Sequence, residues 1–349
     1  MQHPARPPGL IPYAEVSSWR RAVHLAAFFL LGLYANWASA PLTRPITIDN
    51  QVYYYIAEQV ADGVPPHVSL VDHKHALSSM ISGAAIALGR ALDVDDVFAA
   101  RAVSIMLAAM VAPALWVIAY ELTKNAVVAH LTAGMMLTFG DYFSQGAMGV
   151  RPQVFMTAFL ALAFAALSRK HFALGGALAV AAFLCWQPAL IVFGMMLAAL
   201  ALGGRPWRPL LRCCGGGVAV LLLYEAYFLV EGALREQLYQ SYAMAGSVRN
   251  YVMPPLRESI HFVLRGGEWG RRWWVLVPAV YLAFLVALGA EVYTRPQEVL
   301  AAARRGFLAT ALALSALLTL VFTFIDHQAY PDRYFIQPFV ALANGIVFG

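Results

Sequence analysis

An aspartate set just before a helix-patterned stretch is the residue best placed in this sequence to move a proton. The stretch reads Ile48-Asp49-Asn50-Gln51-Val52-Tyr53-Tyr54-Tyr55-Ile56-Ala57-Glu58-Gln59-Val60-Ala61-Asp62-Gly63. From Asn50 to Ala61, residues Tyr53, Ile56, Ala57 and Val60 recur at helical spacing and predict one apolar face. Asp49 then has two readings. It is an N-cap whose carboxylate satisfies free backbone N–H groups, or it is a general base aimed into a cavity at the membrane surface. Further on, Asp72, His73 and His75 are metal-ligating types. On a strand the two histidines would share a face. No complete ligand set is evident, so a divalent metal and an ordinary polar loop both stay open. Between the histidines, Lys74 is either a point charge for a phosphate or a solvated loop lysine.

The elements that must carry these residues are membrane helices. The chain has 349 residues, 61% hydrophobic and 12% charged, whereas soluble domains are about half apolar and about a quarter charged. The apolar residues fall in blocks, so they are not one soluble core. Spans are expected at Ala22–Ala40, Ala99–Leu122, Ala126–Phe143, Pro152–Ser168, Leu210–Val230, Trp273–Tyr293 and Phe307–Ile325. Each approaches the roughly 20 residues that cross a bilayer. A shorter pair, Phe172–Trp186 and Pro188–Leu202, is hinged at Gln187-Pro188; the two are short spans or one long kinked helix. The first apolar run, about 19 residues, exceeds the roughly 7–15 of a cleavable signal and is expected to be a span. The chain closes in Tyr334–Gly349, read as a last helix or a truncated one. The fold expected is therefore all-α and polytopic, one transmembrane unit over 1–349 with roughly nine or ten helices crossing. Its outer loops are 41–98, which carries the surface helix, and 231–272. In the second, Pro254-Pro255 precedes a helix-like stretch, Leu256–Leu264, and Trp269, Trp273 and Trp274 fit an interface belt.

Charge sets the orientation. The net charge is +5, and the basic residues lie in short segments between apolar runs, so nucleic acid is set aside. Ala76–Gly89 is apolar but only about 14 residues, roughly 21 Å as a helix, and is read as re-entrant or interfacial. With it not spanning, Arg6, Arg20, Arg21, Lys124, Arg169, Lys170, Arg205, Arg208, Arg212, Arg295, Arg304 and Arg305 gather on one side, as the positive-inside rule requires. Asp49, Asp62, Asp72, Asp93, Asp95, Asp96, Asp141, Asp326 and Asp332 gather on the other. The cysteines, Cys185, Cys213 and Cys214, lie in or beside apolar segments, which excludes a disulfide framework and a CxxC metal site.

A first span, then Asp49 with Tyr53 four residues on, Ala57, Asp62-Gly63, Pro65-Pro66 and Asp72, resembles the first outer loop of the glycosyltransferase C (GT-C) superfamily. The likeness is to its protein O-mannosyltransferase and aminoarabinose transferase type. Three later pieces agree. Asp141 follows the third span, Gly149-Val150-Arg151-Pro152-Gln153 opens the fourth, and Asp332-Arg333-Tyr334 opens the last. The resemblance departs at Asn50, where many relatives carry a second acid, at Lys74-His75-Ala76, where many carry Lys-Pro-Pro, and at Gln153, which replaces an acid.

The resemblance implies a polytopic enzyme that moves a sugar from a polyprenyl-phosphate donor, with inversion, to a lipid, glycan or protein acceptor on the outer face. It implies Asp49 and Asp141 as catalytic carboxylates, Arg333, Arg151 and Lys74 at the donor phosphate, and Tyr53, His73 and His75 at substrate. A sugar hydroxyl or amine attacks poorly until a base removes its proton. Arginine offers a charged fork for the phosphate that leaves, and both arginines begin helices, whose N-termini favour anions. Each arginine also has a plainer reading as a snorkelling anchor or an ion-pair partner. High Ala, Arg and Gly content points to a bacterial inner membrane. A transporter or lipid flippase is the rival class, and it predicts ionisable groups inside spans; Glu225 is the main one here. A non-catalytic scaffold in an envelope-polymer assembly is the third.

Overall fold

The computed structural model describes residues 17–46, 48–202 and 207–244, with a few isolated positions beyond. Among these residues the chain is all-α. Helix α1 (Ser18–Trp37) opens at Ser17, whose hydroxyl accepts from the Arg20 N–H. Helices α2 (Ile48–Ala61) and α3 (Leu77–Ala91) fill the segment expected to be the first outer loop. Helix α4 (Asp96–Ala109) is capped by Asp95, which accepts from the Phe98 N–H at 3.0 Å. It passes one residue, Met110, into α5 (Val111–Thr123). Together they form a 28-residue apolar rod, Asp96–Thr123, which covers the expected span Ala99–Leu122.

The expected span Ala126–Phe143 is two pieces. Helix α6 (Ala126–Leu137) stops after 12 residues, and α7 (Gly140–Met148) follows. Thr138 turns its hydroxyl back onto the Met135 carbonyl at 2.8 Å, a local bond that competes with helix continuation. After Gly149, α8 (Pro152–Ser168) starts with proline in its first turn, where the missing N–H costs nothing. Helices α7 and α8 meet at 118°. Helices α9 (Phe172–Cys185) and α10 (Ala189–Leu202) part at the expected Gln187-Pro188 hinge. Helix α11 (Arg208–Val230) is followed by α12 (Leu234–Leu238) and a π-helical turn, Tyr239–Met244.

Among the described residues two helical stretches, Asp96–Thr123 and α11, are long and apolar enough to cross a membrane, and α7 with α8 makes a third if the bent pair is one span. Helices α3, α6, α9 and α10 are apolar but shorter. The expected spans Trp273–Tyr293 and Phe307–Ile325 and the run Tyr334–Gly349 lie, apart from isolated positions, outside the described residues.

The core joins α4 to α9 and α11 around Trp116, Met136, Tyr142, Phe143, Phe155, Leu167 and Phe228. Between apolar helices in lipid, small residues let backbones approach and gain dispersion contact. Helices α9 and α11 use this directly. The Cys213 carbonyl stands where a Cβ on Gly176 would be, and the Ala173 carbonyl stands where one on Gly216 would be. Helix α3 docks by the same means, burying Ser78, Ser79, Ser82, Gly83, Ile86 and Gly89. A Cβ on Gly83 would come 2.7 Å from the Ala57 carbonyl. One end of the structure is basic, with Arg21 and Lys124 both meeting Glu121. At the other end Arg90 binds Asp96 and Asp62 together, tying α2, α3 and α4.

The glycine seam gives a controlled test. Gly216→Ala forces α9 and α11 apart and is expected to destabilise by about 1–3 kcal/mol. Neighbouring Gly215 faces open space, so Gly215→Ala is expected to be neutral or stabilising, by up to about 1 kcal/mol. Thermal unfolding of both variants in detergent checks the difference.

Candidate active site

Asp49 is not a cap. It lies inside the first turn of α2, and its carboxylate is 74% exposed. A negative charge there complements the positive helix end and leaves the oxygens open to a ligand. Asn50 beside it is the reverse, 1% exposed. Its Oδ1 accepts from Arg151 Nη1 at 3.1 Å, and the same Nη1 is 3.9 Å from Asp49 Oδ2. Position 50 thus holds a neutral acceptor for the arginine. Two buried donors beside it, Asn50 Nδ2 and Arg151 Nε, have no protein partner.

One turn along α2, the expected apolar face is real: Tyr53, Ile56 and Ala57 are buried. The Tyr53 hydroxyl is bonded by Lys74 Nζ, which also lies 4.9 Å from the ring centroid. Burial raises the Tyr53 pKa, while nearby Lys74 and Arg151 oppose that and Asp72 adds to it. Lys74 is therefore not a solvated loop lysine. Its N–H donates to Asp72 Oδ1 at 3.1 Å. Two cations and two carboxylates thus surround Asn50 and Tyr53.

The histidines separate. The His73 ring is 42% exposed, 3.8 Å from Asp72, and its carbonyl accepts from Gln187 at 2.7 Å. His75 is 1% exposed and packs against Phe183, Tyr224 and Tyr242, with both ring nitrogens unpartnered. The loop bends here and is no strand, so the shared face needed for joint metal ligation does not form. Among the described residues no three His, Cys, Asp or Glu side chains gather as a metal site. Asp141 sits half-buried in the first turn of α7, the helix that leads through Gly149 to Arg151. Arg333 and the stretch Leu256–Leu264 lie outside the described residues. Glu225, the charge within a span, accepts from Gln237 and Tyr242 at 3.4 and 3.5 Å.

What brings the pieces together is α4. Arg101, buried inside an expected span, donates from Nη1 and Nη2 to the carbonyls of Pro41 and Arg44 in the loop entering α2. One turn on, Ser104 donates to the Gly149 carbonyl at 3.0 Å, in the loop entering α8. Gly149 has φ +104°, a backbone that residues with a Cβ rarely adopt. Reading the sequence missed Arg101, because one charge in an apolar run looks like an interruption. Its signal was the cost of burying it without a partner.

No family model matches the chain, and no curated protein matches it. Its fold is similar to the crystal structure of the Archaeoglobus fulgidus oligosaccharyltransferase in the apo form, with TM-score 0.62 and 11% identity over 95% of this chain and 51% of that one. It is also similar to the archaeal oligosaccharyltransferase AglB from Archaeoglobus fulgidus in complex with an inhibitory peptide and a dolichol-phosphate, with TM-score 0.50 and 13% identity over the same shares. The chain spans about half the length of these proteins. The likeness shows the fold.

Burial holds His75 neutral, with its pKa pushed down to about 3. The unfolded chain takes up that proton near pH 6.5. Below that pH the unfolded state binds more protons than the folded one, so stability falls as pH drops from about 6.5 toward 3. His75→Phe is expected to flatten this slope without lowering stability at pH 7.5. Thermal unfolding in detergent at pH 7.5, 6 and 5 measures it.

Proposed function

We propose that this protein is a membrane glycosyltransferase that moves a sugar, with inversion, from a polyprenyl-phosphate donor to a lipid, glycan or protein acceptor. The site faces the periplasmic side of a bacterial inner membrane. The observation that carries the reading is the convergence of Arg151, from the start of α8, and Lys74, from the first outer loop, on the face of α2 that also carries an exposed Asp49. The GT-C fold supports it, and the dolichol-phosphate bound to the archaeal AglB is a polyprenyl phosphate of the class proposed here.

In this mechanism Asp49 takes the proton from an acceptor hydroxyl or amine as that atom attacks the anomeric carbon. The bond from that carbon to the phosphate oxygen breaks, and its electrons leave with the phosphate. Attack opposite the leaving group inverts the anomeric centre. The charge developing on phosphate meets Arg151, Lys74 and Arg333, and the N-terminus of α8 adds its dipole. Asn50 Nδ2 and Arg151 Nε, both without protein partners, supply further donors. Asp141 is the second carboxylate. Tyr53, His73 and His75 are assigned to the substrate side. Removing the Asp49 contact from Arg151 as phosphate arrives leaves the carboxylate free to act as base.

The test is transfer in vesicles from labelled polyprenyl-phosphate sugars to an envelope extract. Asp49→Asn is expected to lower the rate by about 10²–10⁴-fold. Arg151→Gln, which removes a charge-assisted bond worth about 1.5–3 kcal/mol, is expected to lower kcat/KM by about 10–100-fold. Full transfer by both variants overturns the assignment. No transfer from any donor by the wild type turns the reading toward a transporter or a scaffold.

A further inference from the structure

Helix α12 runs into a feature that the proposed chemistry does not use. Past α12 the chain widens into the π-turn Tyr239–Met244. Such turns are rare and concentrate at functional sites. In an α-helix successive side chains point about 100° apart; the wider turn brings them closer together. Here three in a row address one loop. Gln240, 6% exposed, uses its whole amide on that loop. Its Oε1 accepts from the Asp72 N–H at 3.0 Å and the His67 ring Nδ1–H at 3.1 Å, and its Nε2 donates to the His67 carbonyl at 2.8 Å. Ser241 donates to His67 Nε2 at 3.4 Å. Tyr242 stacks edge-on against His75, 4.9 Å between centroids.

The loop these bonds hold is strained. His67 is buried with φ +66°, a left-handed conformation that persists in a residue with a Cβ only when its surroundings over-determine it. From there a short relay reaches the site. Gln240 fixes the Asp72 N–H, the Asp72 carboxylate fixes the Lys74 N–H at 3.1 Å, and Lys74 reaches Tyr53. Gln187, at the break between α9 and α10, holds the loop from its other side through the His73 carbonyl.

We propose that the π-turn Tyr239–Met244 is a clamp that sets the Lys74-bearing loop in place for the donor phosphate, with Gln240 as its positioning residue. The clamp rests on the reading of Lys74 above. It makes the start of the second outer segment part of the donor site without touching the donor.

The chain has three lysines, Lys74, Lys124 and Lys170, so amine acylation followed by mass spectrometry reports on Lys74 directly. Lys124 pairs with Glu121 at the opposite end and serves as the internal reference. In the purified full chain, Gln240→Leu is expected to raise Lys74 acylation relative to Lys124 by at least about fivefold, as loss of buried hydrogen bonds opens the loop. In the transfer assay it is expected to raise the donor KM by about tenfold while kcat stays within about threefold. In a Lys74→Met background the same change is expected to add nothing to KM, because both act through one contact. Gln240→Glu keeps the acceptor for the Asp72 N–H and loses the donor to His67, so its acylation should fall between wild type and Gln240→Leu. If Gln240→Leu does not fold, Gln240→Glu decides alone. Wild-type acylation of Lys74 in the folded variants overturns the clamp, as do KM effects that multiply in the double variant. A wild type that transfers no sugar overturns the proposed function, and the acylation result still decides the clamp.

Discussion

One turn of α4 does the work on which the site depends. Arg101 and Ser104 lie three residues apart, so they share a face. Each satisfies backbone carbonyls in a loop that has left helical geometry, Arg101 in the loop from α1 to α2 and Ser104 in the loop from α7 to α8. Near the hydrocarbon a free carbonyl has no water to turn to, so a loop survives only where protein groups satisfy it. Those two loops lead directly to Asp49 and to Arg151. A buried guanidinium and a buried hydroxyl thereby bring the Asp49 carboxylate and the Arg151 guanidinium within 3.9 Å across about a hundred residues of chain.

The same economy runs through the packing. Where helices must come close, the sequence places glycine and serine and the backbones touch, as between α9 and α11 and between α2 and α3. Where the chain must turn at a fixed angle, a positive-φ residue appears beside a hydrogen bond that holds it, Gly149 with Ser104 and His67 with Gln240. Rigidity is concentrated around the loops that present charge. The ion triad of Arg90, Asp62 and Asp96 is exposed and contributes modestly; the buried amide and hydroxyl contacts do more to set geometry, because leaving any one of them unmade has a full desolvation cost.

The site is also balanced. Arg151 and Lys74 are countered by Asp49 and Asp72, with a neutral amide, Asn50, between. An anionic group arriving at Arg151 displaces a contact that is only 3.9 Å long and mostly solvated on the Asp49 side. Little stability is lost in the exchange, which is what the proposed binding and release of a lipid phosphate requires.

The sequence by itself determined that the chain is helical and built for a membrane, that Asp49 heads a helix with Tyr53, Ile56 and Ala57 buried, and that the chain breaks at Gln187-Pro188. Hydropathy, period and proline are local signals, and local signals survive without the fold. The tertiary structure decided the rest. It split the run Ala126–Phe143 at Thr138 and bent the chain again at Gly149, since a side-chain bond and a glycine turn leave almost no mark on hydropathy. It parted His73 from His75, because the loop between Asp72 and Ala76 is shaped by Gln187 and Gln240, which are more than a hundred residues away. It turned Asn50 from an apparent lost acid into the acceptor for Arg151, and it made Arg101 an organiser. These outcomes depend on which groups a buried donor finds across the fold, and spacing along the chain carries no record of that.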